Sequence, residues 1–473
     1  MRLADDRRPC GGYNRRPRRR PVPSMPTCSI DPLPYRVDPV EYFGKVRHAP
    51  GAVLLDSGRP GAVRGRFDLL SAWPVEHLAV EAHETGSAFL QRLRDSLARL
   101  GQAQLPPGSE LPFAGGLIGY LAYDFGRRLE PLQARALDDL QLPDARFGLY
   151  AWAVISDHHA QTTQLVCHPS LCEPERQRLV TLFTQRPAPV DAPAGFRLTR
   201  PFQANLGADD YHAAFTRIQA YIQAGDCYQV NFAQRFQADC EGDPWAAYCA
   251  LRAACPTPFS GYLPLPEGGA ILSLSPERFV RVSERQVETR PIKGTRARGR
   301  DAAEDAALAA ELLASPKDRA ENLMIVDLLR NDLGRSCRIG SVSVPELFSL
   351  ESYPNVHHLV SSVTGELAAG HDPLDLIAGS FPGGSITGAP KIRAMQIIDE
   401  LEPTRRGLYC GSLMYLDVRG EMDSSIAIRS LLVKDGGVSC WSGGGIVSDS
   451  DCEAEYQETL TKVRVLLQTL ETL

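Results

Sequence analysis

Apolar residues recur along this chain with the two periods that distinguish helices from strands. Between positions 89 and 100, the residues Phe89, Leu90, Leu93, Leu97 and Leu100 lie at helical spacing and predict an amphipathic helix. Similar spacing, together with start and stop signals, predicts helices over residues 208–222, 245–254, 301–313, 317–329, 373–378, 391–401 and 451–473.

Other segments alternate between apolar and polar residues or form short apolar runs, which is typical of β-strands. They predict strands over residues 52–55, 115–124, 149–156, 227–236, 261–265, 270–274, 280–288, 355–364, 407–416, 425–433 and 438–447. We expect the last strand to be broken by three consecutive glycines. Helices and strands follow one another without a regular βαβ repeat, so the predicted fold class is α+β.

The length of 473 residues allows two domains or one large composite fold. Three prolines within residues 187–193 predict a linker. We therefore divide the chain into a tail at residues 1–27, an N-terminal region at residues 28–200 and a C-terminal region at residues 201–473.

Charge is distributed unevenly. The net charge is −6, yet residues 1–24 carry eight arginines and only two aspartates. The rest of the chain is therefore acidic, which argues against nucleic acid as a partner. The arginine-rich start has no apolar segment and is not a secretory signal. Its prolines and two aspartates fit a transit peptide poorly, so we expect a disordered tail; alternatively, translation begins at Met25.

Two features bear on the compartment. No run of about eighteen apolar residues occurs, so we expect neither a transmembrane helix nor a membrane partner. The twelve cysteines are scattered without a Cys-x-x-Cys pair, which argues against zinc or a disulfide framework. We expect a cytoplasmic protein with reduced thiols.

A lysine in the middle of the chain is the first candidate for chemistry. It lies in Arg-Pro-Ile-Lys-Gly-Thr-Arg at residues 290–296. Pro291 cannot donate to a β-ladder, so the strand predicted at 280–288 should end there, leaving Lys293 at a corner between strand and turn. Gly294 permits close backbone approach to a ligand. A desolvated lysine near other cations can become a nucleophile; the alternative is a solvated loop lysine.

Two pairs of carboxylates are spaced for cation binding. Asp318 and Glu321 are three residues apart on one predicted helix, and Glu455 and Glu458 are three apart on another. Residues at this spacing share a helix face, so each pair can direct two carboxylates to one point. Mg²⁺ favours such oxygen ligands. The alternative is two solvated acidic faces.

The predicted strand at 438–447 contains Gly443, Gly444 and Gly445. Glycines here would let a ligand approach the backbone, whose N–H groups can hold a carboxylate; the alternative is a bulge. Arg429, on the neighbouring predicted strand, has the geometry to bind a carboxylate in bidentate fashion, or to form an internal salt bridge.

Seven short segments together resemble the chorismate-utilising enzymes, a family that includes anthranilate, aminodeoxychorismate, isochorismate and salicylate synthases. The matching segments are residues 225–231, 275–277, 291–295, 321–332, 381–391, 443–447 and 455–462. The resemblance implies a large composite α+β fold with mixed or antiparallel sheets flanked by helices. It makes residues 201–473 the chorismate-binding catalytic domain and residues 28–200 a more variable, anthranilate-synthase-like region.

Two positions separate the branches of this family. This chain has Pro-Ile-Lys-Gly-Thr at residues 291–295, where the motif of anthranilate synthases is similar to Pro-x-Ala-Gly-Thr. With Lys293 the motif resembles that of the branch that forms aminodeoxychorismate. Isochorismate and salicylate synthases have a water-activating lysine where this chain has Gln229. An amide is not basic at neutral pH, so attack by lysine is favoured over attack by water.

The resemblance also implies roles for the site residues. It makes Lys293 the nucleophile and Glu277 the general acid. It implies Mg²⁺ bound directly by Glu321 and Glu458, with Glu455 and Asp318 acting through water. The substrate contacts that it implies are Thr295, His358, Tyr409, Arg429, Gly443, Gly444, Gly445 and Lys462. Lys462 has a simpler alternative, since it lies four residues after Glu458 and can pair with it.

The reaction implied by the resemblance converts chorismate and ammonia to 4-amino-4-deoxychorismate through a lysine adduct, in 4-aminobenzoate and folate biosynthesis. The cysteines include no Gly-x-Cys-x-Gly nucleophile of a glutaminase. We therefore expect ammonia to come from a separate glutamine amidotransferase subunit, in a heterodimer. The alternatives are anthranilate formation, or a non-catalytic subunit that binds chorismate or an amino acid.

Overall fold

The computed structural model of the protein describes residues 25–62, 65–185, 195–352 and 356–473. The linker predicted at residues 187–193 and all but the last three residues of the tail predicted at 1–27 lie outside these ranges. The end of that tail joins the fold, because Gln104 donates its backbone N–H to Pro26 and accepts that of Cys28.

Eleven α-helices form within the described residues, and each predicted helix is found with small shifts at its ends. Pro316 stands in the first turn of the longest central helix, where its missing N–H costs nothing, and the Ser315 side chain caps it. The helices are α1 Val40–Phe43, α2 Gly86–Leu100, α3 Gly126–Leu129, α4 Glu173–Thr184, α5 Ala208–Gln223, α6 Pro244–Ala254, α7 Ala302–Ala314, α8 Pro316–Gly334, α9 Pro373–Ser380, α10 Lys391–Leu401 and α11 Cys452–Glu471.

The strands of the described residues form two sheets. They are β1 Ser29–Leu33, β2 Val53–Asp56, β3 Phe67–Ser71, β4 Glu76–Ala79, β5 Gly116–Leu121, β6 Ala145–Tyr150, β7 Trp152–Asp157, β8 Thr162–Cys167, β9 Phe196–Leu198, β10 Gln203–Ala204, β11 Gln229–Gly242, β12 Phe259–Pro264, β13 Ala270–Ser275, β14 Arg278–Ser283, β15 Gln286–Thr289, β16 Ile292–Ala297, β17 Ser343–Ser352, β18 Val356–Glu366, β19 Gly388–Ala389, β20 Ser412–Asp417, β21 Met422–Ser425, β22 Ser430–Lys434 and β23 Gly437–Ile446.

The larger sheet has the order β1-β8-β7-β3-β2-β12-β13-β22-β23-β11-β10, with β9 and β19 also paired to β11. The smaller sheet has the order β16-β18-β15-β14-β21-β20-β5-β6-β4, with β17 also paired to β18. All pairings between these strands are antiparallel. The α+β prediction is confirmed. Each sheet contains strands from both sides of residue 200, so the predicted division does not separate the sheets.

Two hydrophobic cores lie on opposite faces of the larger sheet. On β13, Ile271 belongs to one core and Leu272 to the other, as expected for side chains that alternate across a strand. The first core includes residues of the smaller sheet and of α8–α10, and the second includes residues of α6 and α11. No helix in the described parts of the chain is long and apolar enough to cross a membrane.

Four predictions near the candidate site are wrong. Residues 280–288 form the hairpin β14–β15, with positive φ angles at its turn residues Glu284 and Arg285. Lys293 then lies within β16 and not at a corner, because a new strand begins directly after Pro291. Arg429 lies between β21 and β22, and β23 runs through its three glycines unbroken.

Candidate functional site

Lys293 lies on the edge strand of the smaller sheet, where the register between β16 and β18 shifts. Its neighbour Gly294 has a φ of +82°, which side chains rarely tolerate. A Cβ atom at Gly294 would lie 2.9 Å from Leu312 Cδ1 and 3.0 Å from Asp318 Cβ. The glycine therefore lets the Lys293 segment pack directly against α7 and α8.

A single serine links Lys293 to Glu277. The Lys293 Nζ donates to the carbonyl oxygen of Ser385 at 3.1 Å, and the Ser385 hydroxyl donates to Glu277 Oε1 at 2.9 Å. Ser385 lies in the 3₁₀ turn Gly384–Ile386. The turn thus places around one residue the amine of Lys293 on β16 and the carboxyl of Glu277, which lies between β13 and β14.

The environment shifts both groups toward their neutral forms. Burial lowers the pKa of Lys293, while the carboxylates of Glu277, Glu321 and Glu458 oppose that shift. Burial raises the pKa of Glu277, although Lys293, the Ser385 hydroxyl and the backbone N–H of Ile292 favour its ionised form. A neutral amine and a protonated acid are the forms needed for nucleophilic attack and for protonation of a leaving group.

Carboxylates from two helices approach each other beside this amine. Glu321 on α8 and Glu455 on α11 flank Lys317, whose Nζ lies 4.0 Å and 3.8 Å from them. Burial raises the pKa of Glu321 and of Glu455; each is also raised by a neighbouring carboxylate. Burial opposes ionisation of Glu458, but nearby lysines lower its pKa overall. The largest of these contributions comes from Lys462, whose Nζ lies 2.6 Å from Glu458 Oε1.

The predicted metal ligands are the acidic residues Asp318 and Glu321 of α8 and Glu455 and Glu458 of α11. Among the described residues, no three His, Cys, Asp or Glu side chains are arranged as a ready metal site. The donor set nevertheless fits a hard cation, since the half-buried Glu321 and the buried Glu455 offer carboxylate oxygens and repel each other. Asp318 already has a cationic partner, because Arg296 Nη2 lies 3.2 Å from its carboxylate.

Thr295, His358 and Arg429 form one wall beside Lys293. Thr295 Oγ1 lies 2.8 Å from His358 Nδ1, directly across the β16–β18 pairing. Burial and the nearby Arg429 guanidinium lower the pKa of His358 to about 4, so the imidazole is neutral. Arg429 forms no salt bridge with the described carboxylates; its recorded side-chain contact is Cys255 Sγ at 3.9 Å. Its guanidinium therefore remains available to an anion.

The glycines of β23 form the opposite wall. Lys462 donates to the carbonyl oxygen of Gly443 at 3.0 Å, so the lysine contacts both the glycine strand and Glu458. A Cβ atom at Gly444 would lie 3.0 Å from Glu455 Oε2, and one at Gly445 would lie 2.5 Å from Gln229 Nε2. Side chains at these positions would fill the space between β23 and the acidic residues.

Tyr409 is buried behind this wall. Its ring stacks on Trp441 of β23, with centroids 6.3 Å apart and an interplanar angle of 5°. Burial raises the pKa of Tyr409 well above its usual value, so the hydroxyl stays protonated. These contacts connect the predicted residues in groups, Lys293 with Glu277 through Ser385, Thr295 with His358, and Glu458 with Lys462 and Gly443, which together form the candidate surface.

Sequence reasoning missed three residues of this surface. Ser385 lies in the matching segment 381–391, but no role was predicted for it, because only the fold brings its turn to Lys293. Lys317 precedes Glu321 by four residues, and that spacing was a usable signal for a pair on one helix face. Gln229 was noted only for what it cannot do, yet it is buried against Gly445 and its Oε1 has no hydrogen-bond partner.

The fold and this surface define the class of protein. Residues 51–468 match the chorismate binding enzyme family, which spans most of the chain. The protein therefore belongs to that family.

Relatives with two different names are similar to this chain over more than 90% of its length. The chain is 48% identical over 450 residues to aminodeoxychorismate synthase component 1 of Klebsiella aerogenes, covering 93% of this chain and 98% of that protein. It is 39% identical to anthranilate synthase component 1 of Thermus thermophilus, covering 91% and 94%.

Solved structures agree with the fold. The crystal structure of anthranilate synthase component I from Streptococcus pneumoniae matches with a TM-score of 0.74 and 31% identity, covering 86% of this chain and 93% of that one. The menaquinone-specific isochorismate synthase of Escherichia coli matches with a TM-score of 0.70 and 19% identity, covering 94% and 95%, which supports the fold alone.

Replacing Gly294 tests the packing at the surface. A Gly294→Ala side chain would meet Leu312 and Asp318 on a backbone with positive φ. We expect the variant to lose more than about 1 kcal/mol of unfolding free energy and most of its activity. Gly334→Ala is the matched control: nothing lies within 4 Å and φ is not positive, so stability should hold or rise. Denaturant unfolding and turnover measure both; equal effects in the two variants would contradict this account.

Proposed function

We propose that this protein converts chorismate and ammonia into 4-amino-4-deoxychorismate. The observation that carries the proposal is the desolvated amine of Lys293, held 3.1 Å from Ser385 within a surface that includes Glu277 and two acidic helices. The relatives named aminodeoxychorismate synthase component 1 are 47–49% identical, whereas the anthranilate synthases are 38–39% identical. The environment of Lys293 and the higher identity to the first group of relatives both favour amination over anthranilate formation.

In the proposed first step, the Lys293 lone pair forms a bond to C2 of chorismate. Both ring double bonds shift, C1=C2 to C1=C6 and C5=C6 to C4=C5, and the C4–O bond breaks. Hydroxide is a poor leaving group, so Glu277 donates its proton and water departs. The adduct amine then loses its extra proton to the Glu277 carboxylate, which interacts with Lys293 more strongly than Glu321 or Glu458 does.

Ammonia completes the proposed reaction by attacking C4. Both ring double bonds shift back, to C5=C6 and C1=C2, the C2–N bond breaks and Lys293 leaves as an amine, recovering a proton from the incoming ammonium group. The enolpyruvyl group is retained throughout. Splitting one difficult displacement into two easier ones is the general advantage of a covalent intermediate.

We propose that Glu321 and Glu458 hold Mg²⁺ directly, with Glu455 and Asp318 around it. Burial and mutual repulsion of the carboxylates support a bound cation at this place. The ion would neutralise the acidic helices and draw electron density from a carboxylate-bearing ring. Arg429, Tyr409 and the backbone of Gly443–Gly445 are the proposed contacts of the enolpyruvyl carboxylate, and Thr295, His358 and Lys462 complete the site.

The "component 1" in the names of the relatives supports a second component. We propose that it is a glutamine amidotransferase subunit that supplies ammonia. The predicted cytoplasmic location and the role in 4-aminobenzoate and folate formation belong to this proposal. Anthranilate formation remains the second candidate, supported by the anthranilate synthases among the relatives.

Lys293→Ala tests the proposed nucleophile. We expect it to lose most formation of 4-amino-4-deoxychorismate from chorismate, Mg²⁺ and ammonia, because the covalent step is removed; a loss above about a hundredfold is expected. Chromatography of the products measures this. Lys434→Ala, at the last residue of β22, where the lysine amine pairs with Asp435, is the control and should retain full turnover. Undiminished amination by Lys293→Ala would rule out an obligatory lysine adduct.

The pH profile tests the paired ionisations. Activity should fall at low pH as the Lys293 amine gains a proton, and fall at high pH as Glu277 loses one. Because the pKa of Lys293 is lowered and that of Glu277 is raised, both falling limbs of the pH–activity profile move toward neutral pH. The two groups interact, so the apparent pKa values from the profile describe the pair and not either residue alone. Rates should be measured at constant free ammonia. The residual activity of Glu277→Gln should no longer fall at high pH. A fall that persists in this variant would contradict the assignment of the high-pH limb to Glu277. Glu304→Gln, near the start of α7, is the control.

Glu321→Gln tests the proposed metal site. Removing one charged ligand should raise the Mg²⁺ concentration for half-binding by more than about tenfold, measured by calorimetry with chorismate present. Turnover should show the same shift. Glu304→Gln, at the exposed start of α7, should leave Mg²⁺ binding unchanged. An unaltered Mg²⁺ affinity in Glu321→Gln would place the ion elsewhere.

Mixing with the second component tests the source of ammonia. The protein alone should use ammonium salts but not glutamine. Adding the glutamine amidotransferase subunit should make glutamine a substrate, and the two chains should co-purify in a pull-down. Glutamine-dependent amination by the isolated chain would contradict the proposal.

A further inference from the structure

One buried ion pair stands directly behind the candidate site. Arg406 is 2% exposed and donates to the Glu402 carboxylate through Nε at 2.9 Å and Nη2 at 2.7 Å. Its guanidinium also lies 4.7 Å from the ring centroid of Tyr123 and 5.7 Å from that of Tyr409. No assigned role in the proposed reaction uses either member of the pair.

The pair contacts the backbone of segments that form the site. Arg406 Nη1 donates to the carbonyl oxygen of Ile386 at 2.9 Å, and Nη2 donates to that of Asn231 at 2.5 Å. Glu402 accepts the backbone N–H of Ala233 at 2.9 Å. Both members of the pair thus form bonds to the backbone, and these bonds connect the pair to two different segments of the chain.

Both segments carry site residues. Ile386 directly follows Ser385, which contacts Lys293 and Glu277. Asn231 and Ala233 lie on β11, opposite Gly445 and Gly443 of β23. One guanidinium group therefore links the Ser385 turn to the strand that is paired with the glycine wall.

Stability alone is a weak explanation for such a pair. Desolvation of a buried ion pair offsets much of its attraction, and apolar replacements of similar volume are often equally stable. A planar guanidinium with several fixed donors, however, can hold two separate backbone carbonyls and a carboxylate in one geometry. Such a set of bonds fixes the relative positions of these groups more than it adds to the free energy of unfolding.

We propose that Arg406 is a positioning residue that sets Ser385 against Lys293 and Glu277 by holding the carbonyl of Ile386. The inference deepens the proposed function and rests on it. Arg406 touches none of the reacting groups; it acts through the Ser385 turn. A displacement of about 1 Å at a reacting centre can lower a rate by about a hundredfold, so loss of this anchor should reduce turnover.

Arg406→Lys is the first test, since lysine keeps the charge but cannot make the same set of bonds. Turnover should be expressed per folded molecule, with the folded fraction taken from thermal unfolding. We expect kcat to fall by at least about tenfold. Arg252→Lys is the matched control: Arg252 is a buried arginine paired with Asp56 in the second core. It should lower stability without lowering kcat per folded molecule.

A double-mutant cycle with Ser385→Ala separates positioning from a general structural role. If Arg406 acts through Ser385, Arg406→Lys should slow the Ser385→Ala protein by clearly less than it slows the unmodified protein. Ser385→Ala removes the hydroxyl bond to Glu277 and keeps the backbone carbonyl that accepts from Lys293, so full multiplication of the two effects would overturn the positioning of Ser385 against Glu277. An unchanged kcat per folded molecule in Arg406→Lys would overturn the whole proposal.

A second variant covers the case in which Arg406→Lys does not fold. Glu402→Gln with Arg406→Met removes both charges and preserves an acceptor for Ala233. A folded but slow protein supports the proposal; a folded protein with normal kcat overturns it. Failure of both variants to fold would assign the pair to stability alone and also overturn it.

The readout keeps this inference separate from the proposed function. Loss of chorismate, whatever the product, measures the effect of Arg406. The identity of the product measures the proposed function. Anthranilate from the unmodified protein would therefore refute amination, while a slow Arg406→Lys protein would still support the positioning role.

Discussion

The desolvation of one amine is the constraint on which the site depends. Lys293 is a strong nucleophile only as a neutral amine, and the removal of water around it favours that form. The carboxylates of Glu277, Glu321 and Glu458 oppose this effect. Their charges are moderated by burial, by Lys317 and Lys462, and, in our proposal, by Mg²⁺. The site therefore balances a neutral amine against an acidic surface.

The architecture serves this balance by bringing distant parts of the chain together. Lys293 lies on the edge of the smaller sheet, whereas the glycines of β23 lie within the larger one. Helices α8 and α11 each contribute carboxylates to the space between them. The short turn at Ser385 contacts both the amine and the acid. Because no single sheet carries the site, its geometry depends on contacts between elements, such as those of Arg406.

Sequence periodicity predicted the helices well because their apolar faces are long and regular. Strands were harder where glycines or positive φ angles intervened. The three glycines of β23 read as a break, yet they remain paired with β11, since the antiparallel ladder does not require side chains. Arg429 read as a strand residue, but a φ of +51° takes it out of the ladder.

The resemblance to a family supplied the site residues that periodicity alone does not reveal. Their contacts depend on tertiary structure: Ser385 and Lys293 are 92 residues apart, and Arg406 reaches Asn231 across 175 residues. No local pattern announces such pairs. Lys317 is the exception, since its spacing from Glu321 is a local signal.

The most direct test of the central claim is peptide mapping after an acid quench. The protein would be mixed with chorismate and Mg²⁺ without ammonia, quenched within one turnover, digested and analysed by mass spectrometry. We predict that the peptide containing Lys293 gains the mass of chorismate less one water, and that the gain disappears when ammonia is added before the quench. Normal turnover with ammonia, combined with no modified Lys293 at any quench time, would contradict the account.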